Sequence, residues 1–292
     1  MFSNLDFSEG ARALDSFWIS KGCVKLNSSS NKLGAATFHP EMLKNIITSK
    51  HCKFCCLQPT FRPYDGDYGL SYSLQQHFQY QVIIKPFYGL AGKLCLESLK
   101  GLGYSASLHK LVFKQSNWES SSLCAWGTGW ECVINSLEVA QITLFRQICG
   151  LKCDLPVLEI SYGLERLVCS LSSSRISLSE CELGFNYYNL NCVCVTSSFQ
   201  MFRVLEQNMR YLARFEFFGS FYPVYDLFLS LVFIYNQLVS KISLKRKMLR
   251  ILLLRLQRLV HTFARVLARA RSTDENINLA WINECKENDK LV

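Results

Sequence analysis

Glu159-Ile-Ser-Tyr-Gly-Leu-Glu-Arg166 packs two carboxylates, a hydroxyl, a glycine and an arginine into one short run, just ahead of the apolar pair Leu167-Val168. Glu159 and Ser161 stand two apart, so on a strand both side chains leave the same face. A helix opening at Gly163-Leu-Glu-Arg166 sets Arg166 one turn in, near the positive end, which suits a polyphosphate. One face then offers a carboxylate to a small ammonium-bearing ligand, with the arginine beside it for phosphate.

Outward from this run the chain reads as a series of short strands with a few helices. Gln79-Tyr-Gln-Val-Ile-Ile-Lys85, stopped by Pro86, reads as a strand, as do residues 109–114, 130–135, 140–145 and 158–161. Residues 8–22 carry Ala11, Leu14, Phe17 and Trp18 at helical spacing, and 94–102 reads as a short helix ended by Gly103. Residues 31–70, rich in Gly, Pro, Asn and Ser, read as loops around short elements. The strands fall mainly between about residues 54 and 161 and lack regular crossover helices, so the expected class is α+β with a mostly antiparallel sheet flanked by helices. A Ser-rich stretch at 170–180 marks a boundary. After about residue 198 the pattern turns helical, and Met248 to Arg271 aligns Leu249, Leu252, Leu256, Val260, Phe263 and Leu267 on one face. The expected division is a catalytic unit over 1–170, a connector over 171–198, a helical C-terminal unit over 199–272 and a polar tail over 273–292.

At 292 residues, 49% hydrophobic and 19% charged, the chain excludes global disorder and is long enough for a real core. The net charge is +9, and residues 241–271 hold lysines and arginines without a single acid. That run fits nucleic acid, an acidic protein partner or a solvated helix face. The chain has 14 cysteines and opens without a basic segment followed by an apolar one, so the thiols are expected to be reduced and mostly buried. His51-Cys52-x-x-Cys55-Cys56 looks like half a zinc site, which the Cys149/Cys153 and Cys192/Cys194 pairs do not complete at a familiar spacing. Residues 224–239 are very apolar, but Asp226, Asn236 and Gln237 interrupt them, and a span needs about 20 apolar residues. A buried helix is expected, and no membrane.

Further segments fall in order around the opening run. They are Gly34-Ala-Ala-Thr-Phe-His-Pro40, Gln58-Pro-Thr-Phe-Arg62, Gln79-Tyr-Gln81, Asn117-Trp-Glu119, Ala125-Trp-Gly-Thr-Gly-Trp130-Glu131 and Glu138-Val-Ala-Gln141. With these spacings the chain resembles the alpha subunit of bacterial-type glycyl-tRNA synthetase, a class II aminoacyl-tRNA synthetase. The likeness is close over about residues 8–170 and fainter to Arg271.

The resemblance implies a class II antiparallel sheet, a cytoplasmic enzyme, and adenylation of glycine by ATP with Mg²⁺, followed by transfer to the 3′ end of tRNA(Gly). It implies two alpha chains paired with two beta chains. Arg62 would clamp the α-phosphate and the reacting carboxylate, and Arg166 the γ-phosphate. Glu131, with Glu138 as the weaker candidate, would orient the metal and ATP. Glu159 and Ser161 would read glycine, Gln79 and Gln81 would line the same pocket, and Trp118, Trp126 and Trp130 would wall it. Pro40 resembles the first-motif proline at the dimer interface. Residues 70–77 depart from the family pattern and replace an arginine. That departure motivates the alternative of a non-catalytic synthetase-like module that binds ATP or tRNA.

Overall fold

The computed structural model describes residues 6–62, 74, 76–171, 193–212, 221–241 and 244–270. Helix α1 (Phe7–Ser20) starts on a capping box, with Asp6 accepting from the Glu9 amide at 2.7 Å and Glu9 accepting in return from the Asp6 amide. Strand β1 (Val24–Lys25) follows, then a 3-10 turn at Ala36–Phe38 and helix α2 (Pro40–Thr48). Next come β2 (Cys52–Phe61), β3 (Gln76–Lys85), α3 (Ala91–Lys100), β4 (Leu111–Gln115), β5 (Trp118–Ser120), β6 (Ala125–Ile134), β7 (Leu137–Ile148) and β8 (Leu151–Gly163). Helix α4 (Leu164–Leu171) continues directly from β8, and α5 (Val195–Leu212), α6 (Phe221–Val239) and α7 (Arg246–Ala270) complete the described elements.

The strands form one sheet in the order β1-β2-β3-β8-β7-β6-β4, with β5 also paired to β6. Among the described strands β1 and β2 pair in parallel and the other pairs are antiparallel. The α+β class with an antiparallel sheet and flanking helices is therefore as expected. Strand alternation gives the sheet two unlike faces. One face carries Tyr80, Val82, Ile160, Tyr162, Ala140, Ile142 and Cys132, and its core includes Leu14 and Trp18 of α1, Cys95 and Leu99 of α3, and Leu164 and Leu167 of α4. The opposite face is split along its length. Ile83, Phe145 and Val157 join a second core with Val224, Tyr225 and Phe228 of α6 and Leu252, Leu256 and Val260 of α7. Each large apolar side chain fully buried in these cores stabilises the fold by about 1.5–3 kcal/mol. The other half of that face bears Gln79, Gln81, Ser161 and Gln141, and the helices leave it as a cleft.

Within the stretch expected to be loops, residues 31–62 hold more regular structure than their composition suggests. Pro40 opens α2 at a position where its missing N–H costs nothing. Strand β2 lies between β1 and β3 and is buried on both faces at several positions, so its alternation is blurred in the sequence. The same alternation divides the half zinc site: Cys52 and Cys56 join one core and Cys55 the other. Burial pushes the Cys56 thiol up to about 12, as expected of an inert buried cysteine. Among the described residues no helix is long and apolar enough to cross a membrane. The Ser-rich stretch and the polar tail fall largely outside the described residues. Most of the basic run forms α7, where Arg246, Lys247, Arg250 and Arg258 are exposed, and Lys245 just before it is exposed as well. Arg255 instead forks onto the buried Glu206 of α5 and lies over the Phe202 ring at 5.2 Å.

Two glycines of β6 allow the tight approach of β7 beside the cleft. A Cβ on Gly129 would sit 1.8 Å from the Ile142 carbonyl oxygen, and one on Gly127 2.6 Å from that of Leu144. Backbone cannot yield as a flexible side chain can. Gly129→Ala is therefore expected to destabilise the protein by about 3 kcal/mol, read as a lower urea midpoint. An unchanged midpoint would contradict this packing.

Candidate active site

The cleft encloses about 200 Å³ and is lined by residues from the 3-10 turn, the ends of β2 and β3, and β5, β7, β8 and α4. At its floor Glu159 of β8 pairs with Ile83 of β3 on one side and Thr143 of β7 on the other. The residue is 1% exposed. The Thr37 hydroxyl donates to Glu159 Oε1 at 2.8 Å, and the Gln81 amide nitrogen donates to the same oxygen. Burial raises the carboxyl to about 8, and the two hydrogen bonds pull it back only in part. Burial thus favours the neutral form of the Glu159 carboxyl.

Ser161 stands two residues further on the same face, opposite Gln81 and Gln141 in register, and lines the cleft. Gln79 lines it as well, and its Oε1 accepts from the Ala36 amide at 2.8 Å, holding the 3-10 turn over the sheet. Gln81 is fully buried behind Glu159 and does not line the opening. Trp118 of β5 forms a wall, its ring edge-on to Phe145 at 5.7 Å.

Arg62 and Arg166 both line the cleft. Arg62 follows β2 and donates from Nε to the Gly34 carbonyl at 3.1 Å. Arg166 lies in the first turn of α4 and pairs with Glu138 of β7, Nη1 to Oε2, at 3.4 Å. His77 lines the same cleft, lowered to about 3 by burial and by the positive charges of Arg62 and Arg166. A neutral imidazole thus sits near two guanidinium groups, and the cationic end of the cleft suits an anion.

Besides Gln81, three of the named residues fall outside the lining. Glu131 is outside the wall: it accepts from the Ser116 hydroxyl at 2.9 Å, one strand beyond Gln141 in the same cross-strand row. It therefore shares the face of the cleft and flanks it. Trp126 and Trp130 do not wall the cleft; they are 44% and 38% exposed and line separate surface grooves. Trp130 pairs with Ile142, on the face opposite Glu131, because neighbours along a strand point apart.

The sequence reading assigned no role to Thr37, Gln141 or Glu165, all of which line the cleft. Glu165 accepts from the Phe78 amide at 2.8 Å and so ties α4 to β3. Thr37 and Gln141 fall inside segments already singled out, but the contact of Thr37 with Glu159 joins residues 122 apart in the chain. The altered stretch 70–77 lies largely outside the described residues, although Leu74 and His77 line the cleft.

A family model described as the glycyl-tRNA synthetase alpha subunit matches residues 7–272. Among solved structures, the chain is similar to PylSc, a pyrrolysyl tRNA synthetase of Desulfitobacterium hafniense, at 14% identity and a TM-score of 0.40. That match covers 59% of this chain and 72% of the other.

Proposed function

The chain belongs to the glycyl-tRNA synthetase alpha-subunit family, and from that premise we propose that it activates glycine with ATP and passes the glycyl group to tRNA(Gly) in the cytoplasm. It works as a pair of alpha chains with two beta chains. The glycine carboxylate attacks the α-phosphorus of ATP, a new carboxyl–phosphate bond forms, and pyrophosphate leaves. Such a displacement relies on alignment and charge stabilisation and needs no protein nucleophile. Arg62 holds the α-phosphate and the attacking carboxylate, and Arg166 holds the γ-phosphate at the other end. A planar guanidinium fork suits both tasks better than an ammonium. Neutral His77 leaves the cationic charge to the two arginines.

The ammonium of glycine goes to Glu159, which ionises to receive it, beside the Ser161 hydroxyl. Thr37 and Trp118 crowd this corner. Crowding is needed, because one methyl in an open apolar pocket changes discrimination by only about 1–3 kcal/mol. Mg²⁺ is bound by few protein carboxylates together with phosphates and water. Glu131 and Glu138, on the two strands of one hairpin, fit that pattern, although Glu138 already pairs with Arg166. When bound, the metal neutralises charge on the phosphates.

The observation that carries this reading is the convergence of Arg62, Glu159, Ser161 and Arg166 on one cleft. The experiment is glycine-dependent exchange of pyrophosphate into ATP by the chain co-expressed with its beta partner. Exchange is expected with glycine and not with alanine or serine. A folded complex with no exchange above the Arg62→Ala background overturns the proposal.

A further inference from the structure

The 3-10 turn above Glu159 is too short to fix its own position. It keeps only two local bonds, Phe38 N to Ala35 O at 3.1 Å and His39 N to Ala36 O at 2.9 Å. Its placement therefore depends on outside tethers. The Gln79 carboxamide takes the Ala36 amide, Arg62 holds the Gly34 carbonyl, and the His39 ring meets the Asn27 carbonyl at 2.9 Å. The fourth tether comes from the C-terminal helices: the Tyr225 hydroxyl of α6 donates to the Phe38 carbonyl at 3.0 Å.

Thr37 lies between Ala36 and Phe38, and its hydroxyl reaches Glu159. Tyr225 is itself rigidly held. It is fully buried, stacked on Phe221 at 5.0 Å and on Phe263 of α7 at 6.0 Å with near-parallel rings. A continuous series of contacts thus runs from α7 through Tyr225 and the turn to Glu159.

We infer that Tyr225 is a positioning residue for Glu159, acting from the C-terminal helices through the Ala36–Phe38 turn to hold the Thr37 hydroxyl on the carboxyl group. This rests on the proposed reading of Glu159 as the group that receives the glycine ammonium. Both neutral donors occupy Oε1, so the turn also decides which carboxyl oxygen remains for the ligand. Phenylalanine at 225 keeps the stack but removes the donor, and the turn can then shift away from Glu159. The helices that carry the basic surface would thereby influence glycine binding, not ATP binding.

The test uses the full chain co-expressed with its beta partner and compares Tyr225→Phe, Thr37→Val and the double variant by pyrophosphate exchange. Each single change is expected to raise the KM for glycine about five- to tenfold, with the KM for ATP within about twofold of the parent. Both act through one contact, so the double variant is expected to be no worse than Thr37→Val alone. Thr37→Ser, which keeps the hydroxyl, should restore most of the affinity. Phe263→Leu, which loosens the stack and keeps the hydroxyl, should shift the glycine KM less in the same direction. A second readout needs no substrate: carboxyl titration of ¹³C-labelled Glu159 should move upward in both variants, since Thr37→Val removes a donor to the ionised form and Tyr225→Phe lets the turn carry that donor away. Multiplicative effects in the double variant, equal changes in both KM values, or an unmoved titration in Tyr225→Phe overturn the inference. A parent complex without glycine-dependent exchange overturns the proposed function instead, and the titration still decides the coupling.

Discussion

Glu159→Gln is expected to raise the KM for glycine by about 100- to 1000-fold, the effect of losing one partner of a buried, hydrogen-bonded charge pair. The substitution keeps the shape and removes only the charge proposed to take the ammonium. Its pH behaviour separates it from a general packing defect. Burial raises the carboxyl to about 8, so below that pH an ammonium received by Glu159 is expected to displace a proton. Parent affinity should therefore rise up to about tenfold per pH unit toward pH 8 and then level, with nearly one proton released per glycine near pH 7. Calorimetry in two buffers of different ionisation enthalpy measures the release. In Glu159→Gln the release should vanish.

Stability carries the same signature with a defined sign. A carboxyl whose folded value lies above its ordinary range binds more protons folded than unfolded in the window between them. Its contribution is greatest at acid pH and is lost as pH rises through about 8. Glutamine does not titrate, so melts of the variant should fall less steeply across pH 5–9 than those of the parent. A glycine KM within about threefold of the parent, or proton release that persists in the variant, would reject Glu159 as the amine receptor.

Arg166→Ala and Arg62→Ala are each expected to lower kcat/KM for adenylation by about 100- to 1000-fold, the usual loss when one charged stabiliser of a developing anion is removed. Lysine should rescue either only in part, since it offers a point charge in place of a fork. The two variants should differ in detail. Arg62 also holds the Gly34 carbonyl, at the start of the segment that carries Thr37, so its loss should raise the KM for glycine as well as for ATP. Arg166 instead meets Glu138 and stands in the first turn of α4, so its loss should spare the glycine KM. Removing Arg62 should also let His77 titrate higher, although burial, its largest influence, remains. Single-turnover formation of glycyl-adenylate, with separate glycine and ATP titrations, reads all of these. Near-parental adenylation in Arg166→Ala would remove that residue from the phosphate site.

The two residues that opened the reading, Glu159 and Ser161, illustrate what was legible. A period of two puts them on one face whatever strand lies alongside, and Arg166 opens a helix because β8 runs straight into α4. Glu131 illustrates the opposite case. Its row on the sheet depends on pairing with Gln141 across β6 and β7, and that register leaves it beside the cleft, not in the wall. The resemblance implies a wall of Trp118, Trp126 and Trp130, but β5 carries only Trp118 into the wall while the other two line separate grooves. Strand β2 was hidden because burial on both faces removes the alternation by which a strand is recognised.

The sequence by itself determined the α+β class, the long basic amphipathic helix, the shared face of Glu159 and Ser161, and the family likeness, since each of these depends on near neighbours or on ordered local motifs. Only the tertiary structure decided that Thr37 caps Glu159, that Gln81 lies behind it, that His77 sits near two arginines, and that Tyr225 reaches the turn from the far end of the chain. Those contacts arise from sheet register and helix docking, which bring together residues that no local period relates. Burial then sets the proton affinity of Glu159, and burial is a property of the packed fold rather than of any short stretch.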